Sequence, residues 1–312
     1  MRKLSTITAT AAAAAFLLAG CTTASEEPEA GATGSPTEGE TAATTQGFDI
    51  SGITADEEIA AMVPQGVAED GKLTVGSNLE YAPAEFVDAD GKTPIGYDID
   101  IIGAVAKVMD LEVDVQSSSF DAIIPGIGSR YEVGISSFTI NPDRLESVNM
   151  VSYFMAGSQF AVQAGNPSDV DIENLCGVRV GVQTATIQQE ELEAATAECA
   201  DAGEEPIEVL PFDSQADVTT NLAGGRLDAM YADSPIVAYA VEQTDGALES
   251  LGEIRDAAPY GIVVAKEDTE LAEAVRAAVQ KLMDDGTMAE ITDAWGNSEG
   301  ALTTAEVNPN VG

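Results

Sequence analysis

From Leu73 onward, short apolar runs alternate with stretches whose hydrophobic residues recur every three or four positions, the pattern of strands followed by amphipathic helices. Leu73 to Ser77 reads as a strand, Asp88-Ala89-Asp90-Gly91 as a turn, and Asp98 as the cap of a helix with Ile102, Val105, Ala106 and Met109 on its inner face. A strand at Val113 to Ser117, a short helix at Phe120 to Gly126 and a strand at Val133 to Ser137 follow. Gln159 to Ala164 is a strand that leaves this unit for another. The pattern then starts afresh: strand Val178 to Gln183, a helix capped by Thr186 and running to about Ala197, and strand Ile207 to Leu210. Next come a helix near Asp217 to Leu222, strand Ala229 to Tyr231, helix Ser234 to Gln243 and a late strand at Gly261 to Ala265. Two helices without an intervening strand, Glu270 to Met283 and Thr287 to Trp295, close the pattern and are expected to pack back on the first unit. The alternation predicts an α/β fold of βαβ units.

One stretch concentrates polar chemistry. Val133 to Arg144 is a buried strand ending in the hydroxyls of Ser136, Ser137 and Thr139, then a helix start with Asn141 as cap and Pro142 at the first helical position. Arg144 therefore stands in a first helical turn just beyond a strand's carboxyl end, where open α/β sheets bind ligands. A guanidinium fork beside hydroxyls and free N–H groups suits a carboxylate held bidentately. The stretch alone leaves equally open that Arg144 simply pairs with an acid on a solvated helix.

Composition changes the picture at the N-terminus. Arg2 and Lys3 precede an Ala-rich apolar run, Ile7 to Leu18, too short to span a bilayer comfortably, and Leu18-Ala19-Gly20-Cys21 ends it. This resembles a bacterial lipoprotein signal, which implies that residues 1–20 are removed and Cys21 is lipidated on the outer face of the cell membrane. Residues 21–71 are rich in Thr, Ala, Gly, Pro and Glu and read as a flexible acidic tether, at least as far as Gly47. Net charge is −41, from 54 acids against 13 bases, which excludes nucleic-acid and anionic-membrane partners and mildly favours cationic solutes. With Cys21 assigned to lipid, Cys176 and Cys199 remain; in an oxidising compartment they form one disulfide, worth roughly 3 kcal/mol, or stay as two buried thiols.

Several chemistries drop out. The chain has no histidine, which removes Ser-His-Asp and Cys-His mechanisms, the usual zinc sites and an imidazole switch. No phosphate-cradling glycine loop is present, and Asp88 to Gly91 lacks the spacing of a calcium loop. No metal or cofactor is expected. Carboxylates are so numerous that a catalytic pair is not excluded by counting.

Gly96-Tyr97-Asp98-Ile99-Asp100-Ile101 resembles the signature of the extracellular solute-binding proteins, family 3, which serve polar amino-acid ABC transporters, and the likeness runs in register from about Leu73 to Gly296. It implies a periplasmic-binding-protein-like fold of type II, two α/β lobes joined by a two-strand hinge and closing on a ligand. The boundaries expected are 72–157 and 259–298 for lobe I, 158–258 for lobe II, and 299–312 as a C-terminal tail.

The resemblance also assigns a site. It implies that Arg144 grips the ligand α-carboxylate, helped by Thr139 and by the N–H groups of Thr186 and Ile187 at the turn Gln183-Thr184-Ala185-Thr186-Ile187. Ser137 offers a carbonyl and Asp233 a carboxylate to the α-ammonium, although Asp233 by itself reads equally as a helix cap. Tyr81 and Phe120 match rings that sandwich the ligand side chain, or are core aromatics. Asn78, where relatives binding basic amino acids or glutamine often carry aspartate, and the neutral Gln183 favour glutamine or asparagine over basic ligands, unless Glu80 or Glu85 supplies the anion. The function implied is that of a monomeric, non-catalytic, lipid-anchored binding component that delivers an amino acid to a permease and its ATPase. The alternatives are an amino-acid sensor domain, or a hydrolase or dehydratase on the same scaffold.

Overall fold

The computed structural model describes residues 47–311. The segment expected to be a signal, Cys21 and the first part of the expected tether lie outside the described residues.

Helical turns α1 (Glu57–Ala60) and α2 (Gln65–Ala68) lead into strand β1 (Lys72–Ser77) and a small sheet of β2 (Glu80–Tyr81), β3 (Glu85–Val87) and β4 (Pro94–Ile95). Then come α3 (Tyr97–Val108), β5 (Glu112–Ser117), α4 (Phe120–Gly126), β6 (Val133–Gly134), α5 (Pro142–Ser147) and the long β7 (Val148–Gln163). The next group is β8 (Arg179–Gln183), α6 (Ile187–Ala202), β9 (Glu208–Phe212), α7 (Gln215–Ala223), β10 (Ala229–Asp233) and α8 (Ser234–Gln243). A second long strand, β11 (Leu248–Ala265), returns to α9 (Thr269–Asp284) and α10 (Thr287–Ala294).

One sheet runs in the order β5-β1-β6-β11-β7-β10-β8-β9. Its outer pairs, β5–β1–β6 and β10–β8–β9, are parallel, whereas β7 and β11 are antiparallel at the centre and belong to both halves. This is a two-lobe α/β architecture with a hinge of two crossing strands. Their register slips between Leu251 and Ala258, so the ladder is interrupted midway between the lobes.

Buried apolar clusters hold the fold, and the largest runs through both lobes, from Leu73 of β1 to Val218 of α7 and Met230 of β10. Within it, Leu73, Val75 and Val133 meet Ile101, Ile102 and Val105 of α3 and Leu271, Val275 and Val279 of α9, all fully buried. In a second cluster, Val180, Val182, Leu192 and Cys199 pack around Phe160 and Tyr231, whose rings stack at 4.0 Å. Cys176 and Cys199 are joined by a disulfide that ties the chain before β8 to α6.

Three expectations are corrected. Residues 47–71 are not all tether: Ile59, Val63 and Val67 recur every fourth position and are buried, and the N–H of Phe48 donates to Asp100 Oδ2 at 2.9 Å. Residues 299–311 are not a free tail either, because Ala301 and Val307 bridge Phe154 and Val151, and Ser152 N donates to Glu306 O at 3.0 Å. That segment supplies partners to backbone groups of β7. Asp98 is not the cap of α3; Gly96 holds that place, and Asp98 is buried in the first turn with its carboxylate accepting from Ser137 N at 2.7 Å. Among the described residues, no helix is long and apolar enough to cross a membrane.

Candidate functional site

Local rules place the cation. The side chain of Asn141 accepts from Arg144 N at 2.8 Å, Pro142 follows the cap, and α5 therefore starts where its sequence says it should. Arg144 is carried into the cleft, where Nη1 donates to Thr139 O at 2.8 Å and Nη2 reaches Ala185 O of the second lobe at 3.4 Å. Its guanidinium lies 5.6 Å from the ring centres of Phe120 and of Phe138, which stack on each other at 4.7 Å. Burial works against the charge of Arg144, and the carboxylates of Glu190 and Asp233 offset that in part.

The anion arrives from the other lobe. Asp233 occupies the N-cap position of α8 but makes no capping bond there. Its carboxylate, in a residue 5% exposed, instead accepts from Tyr81 Oη across the cleft and from Gln188 Nε2, each at 2.8 Å. The Tyr260 hydroxyl lies close to the same group without a well-formed bond. Burial pushes the Asp233 carboxyl above its usual range, opposed by these donors and by the charge of Arg144.

The second lobe also offers a helix start. Thr186 caps α6, its hydroxyl accepting from Gln189 N at 3.3 Å and donating to Gln183 O at 2.7 Å. The first N–H groups of α6 have no partner within the helix and lie where an anion is favoured. Ala185, in the turn before α6, adopts φ 63°, a left-handed backbone that an alanine takes up at some cost.

Tyr81, Phe120, Ser137, Thr139 and Arg144 from the first lobe meet Gln183, Thr186, Ile187 and Asp233 from the second around one cavity. Asn78 does not line it: its Nδ2 donates to Ser118 O at 3.0 Å and its Oδ1 accepts from Gln183 Nε2 at 3.0 Å, so it supports the wall from behind. Ser136 and Gln188 complete the lining. Sequence reasoning missed Gln188, because a glutamine in a first helical turn carries no signal of the carboxylate it will meet 45 residues away. The cavity is about 10 Å³, room for roughly one water, so the lobes must part to admit anything larger. A wider groove of about 460 Å³ on the other face of β2 is lined by Glu80, Phe86 and Tyr239 but by no cation. Of these two, the narrow site sets a guanidinium against a carboxylate, as a zwitterion requires.

Comparison with known proteins follows the same lines. The family profile described as bacterial extracellular solute-binding proteins, family 3, matches residues 73–298. The arginine-binding protein ArgT of Corynebacterium glutamicum is 38% identical over 253 residues, covering 80% of this chain and 83% of that protein. A solved ancestral arginine-binding protein bound to arginine superposes with a TM-score of 0.67 at 33% identity, over 72% of this chain and 98% of that one. One bound to glutamine gives 0.66 at 32%, over 72% and 97%. An ancestral amino acid-binding protein described as a precursor of cyclohexadienyl dehydratase gives 0.67 at 26%, over 74% and 98%.

Proposed function

The chain belongs to the bacterial extracellular solute-binding proteins of family 3, and from that premise we propose that it captures free arginine between its lobes and delivers it to an ABC importer, with glutamine the second choice of ligand. The observation that carries the reading is the opposition of Arg144 and Asp233 across one cavity. A ligand satisfies both only if it bears a carboxylate and an ammonium, and it gains both contacts only with the lobes together. Closure is thus favoured by the ligand's differential affinity for the closed form.

The side chain is assigned by what the wall offers. Gln183 spends its Nε2 on Asn78 Oδ1 and Asp213 O, which leaves its Oε1 as an acceptor. An acceptor suits a guanidinium, which brings only donors. The net charge of −41 further concentrates cations at the surface. These features shift the preference from the neutral amides to arginine, in keeping with the named relatives. Binding without catalysis is part of the proposal: the chain lacks histidine, and Asp233 is held by Tyr81 and Gln188.

Thermal unfolding of the chain without residues 1–21, screened against the common amino acids, tests this. Arginine at about a hundred times its dissociation constant should stabilise the fold by about 2.7 kcal/mol. A larger shift with glutamine would reassign the ligand, and no shift with any amino acid would remove the function.

We also propose lobe limits of 47–157 with 259–311 for lobe I and 158–258 for lobe II, and a lipid on Cys21 that holds the chain to the outer membrane face. Cys21→Ala should move the protein from the membrane fraction to the medium with unchanged arginine affinity. Retention of that variant in the membrane fraction would refute the anchor.

A further inference from the structure

Behind the hydroxyls at the end of β6 lie two carboxyl groups that the site does not use directly. Glu85 of β3 and Asp98 of α3 are both fully buried, at 0% exposure. Glu85 Oε1 accepts from Ser136 Oγ at 2.6 Å. Asp98 Oδ1 accepts from Tyr153 Oη at 2.6 Å, and its Oδ2 accepts from Ser137 N at 2.7 Å and from Ser137 Oγ at 3.2 Å. Glu85 Oε2 has no hydrogen-bond partner, and the two carboxyls are neighbours: they bond to the consecutive residues Ser136 and Ser137, and Asp98 N donates to Ala84 O beside Glu85. Buried like charges this close force one of them to keep its proton.

The proton's place follows from the partners. Asp98 already accepts three hydrogen bonds, which suits the ionised group; Glu85 accepts one and has an oxygen left over, which suits the acid. The groups facing the pair are Tyr97, Tyr153, Ser136, Ser137 and, from the second lobe, Asp233, and none of these is a cation able to neutralise a second charge. Ser137, which the pair holds, has φ 49°, a left-handed conformation that costs a serine energy and persists only if surrounding bonds impose it.

We propose that Glu85 and Asp98 share one proton, carried on Glu85 Oε2, and that this pair is a positioning device that holds Ser136 and Ser137 in the shape the solute's ammonium group requires. The proposal rests on the amino-acid reading above. Its electrostatics are consistent: burial and then the charge of Asp98 push the Glu85 carboxyl well above its usual range, and burial pushes Asp98 up to about 6. Folding therefore takes up a proton at neutral pH. The stability this proton contributes is complete below the ordinary glutamate value of 4.5 and is lost as pH rises through the raised value in the fold.

The test combines a spectroscopic and a binding readout. With glutamate carboxyl carbons labelled, the full secreted chain at pH 7 should show one signal at the protonated position, absent in Glu85→Gln. That variant keeps an oxygen for Ser136 and adds no charge beside Asp98, so calorimetry should give arginine affinity within about threefold of wild type. Glu85→Ala should lose tenfold or more; if it does not fold, the glutamine variant and the carboxyl signal still decide the matter. A wild type that binds arginine with every glutamate ionised overturns the pair alone, as does a Glu85→Gln variant weakened tenfold. A wild type that binds no amino acid overturns the positioning role together with the function it rests on, even where the protonated signal is seen.

Discussion

Arg144→Ala should weaken amino-acid binding by about 2–5 kcal/mol, tens to thousands of fold, with little change in the unfolding temperature of the free protein. In a closed cleft a carboxylate exchanges its water for a guanidinium fork, and removal of the fork leaves it desolvated and without its countercharge. The fold is spared because the guanidinium donates only to the backbone carbonyls of Thr139 and Ala185, the latter at 3.4 Å, while the Phe120–Phe138 stack stays in place. Arg144→Lys restores the charge but not the fork and should recover only part of the loss. Titration calorimetry with arginine, run beside thermal unfolding without it, separates these outcomes. Unchanged affinity in Arg144→Ala would mean that the solute's carboxylate lies elsewhere.

What the sequence disclosed about this site follows the range of the forces involved. Caps and first turns are local: Asn141 and Pro142 start α5 as expected and deliver Arg144, and Thr186 starts α6. Asp233 and Asp98 show where local reading stops. Both look like helix caps, yet Asp233 turns to Tyr81, 152 residues away, and Asp98 to Ser137, 39 residues away, and no spacing rule reaches that far. The crossing strands were visible only at their ends. The middle of β7 is buried on both faces and shows no alternation, and the middle of β11 is polar and exposed. Residues 47–71 were hidden by their acids, which mask the fourfold spacing of Ile59, Val63 and Val67. The likeness to a family supplied the two lobes and the site, and side-chain partners separated the residues that line the cavity from Asn78, which braces it.

Gly96→Ala should be among the most damaging single substitutions to stability, by about 3 kcal/mol or more, because backbone strain and steric exclusion act on the same atom. Gly96 sits at φ 133°, a conformation that a side chain rarely tolerates, and a Cβ built there would lie 2.0 Å from Ala84 O and 2.9 Å from Glu85 Cα. These are main-chain atoms that cannot rotate aside. They are close because the backbone of residues 83–84 caps α3 in place of a side chain: Tyr97 N donates to Pro83 O at 3.2 Å and Asp98 N to Ala84 O at 2.9 Å. Relief of the clash requires α3 to move away from β3, which breaks both bonds and draws Asp98 off Ser137 and Tyr153. Thermal unfolding of the free variant should fall by about 5–10 °C, and arginine affinity should fall with it because Ser137 loses its support. Gly66→Ala is the control: it lies in α2 with nothing within 4 Å of its added methyl, and should be neutral or slightly stabilising. If Gly96→Ala melts with the control, the helix start is not held by that close approach, and the path by which the glycine of the Gly-Tyr-Asp segment supports the ammonium site is wrong.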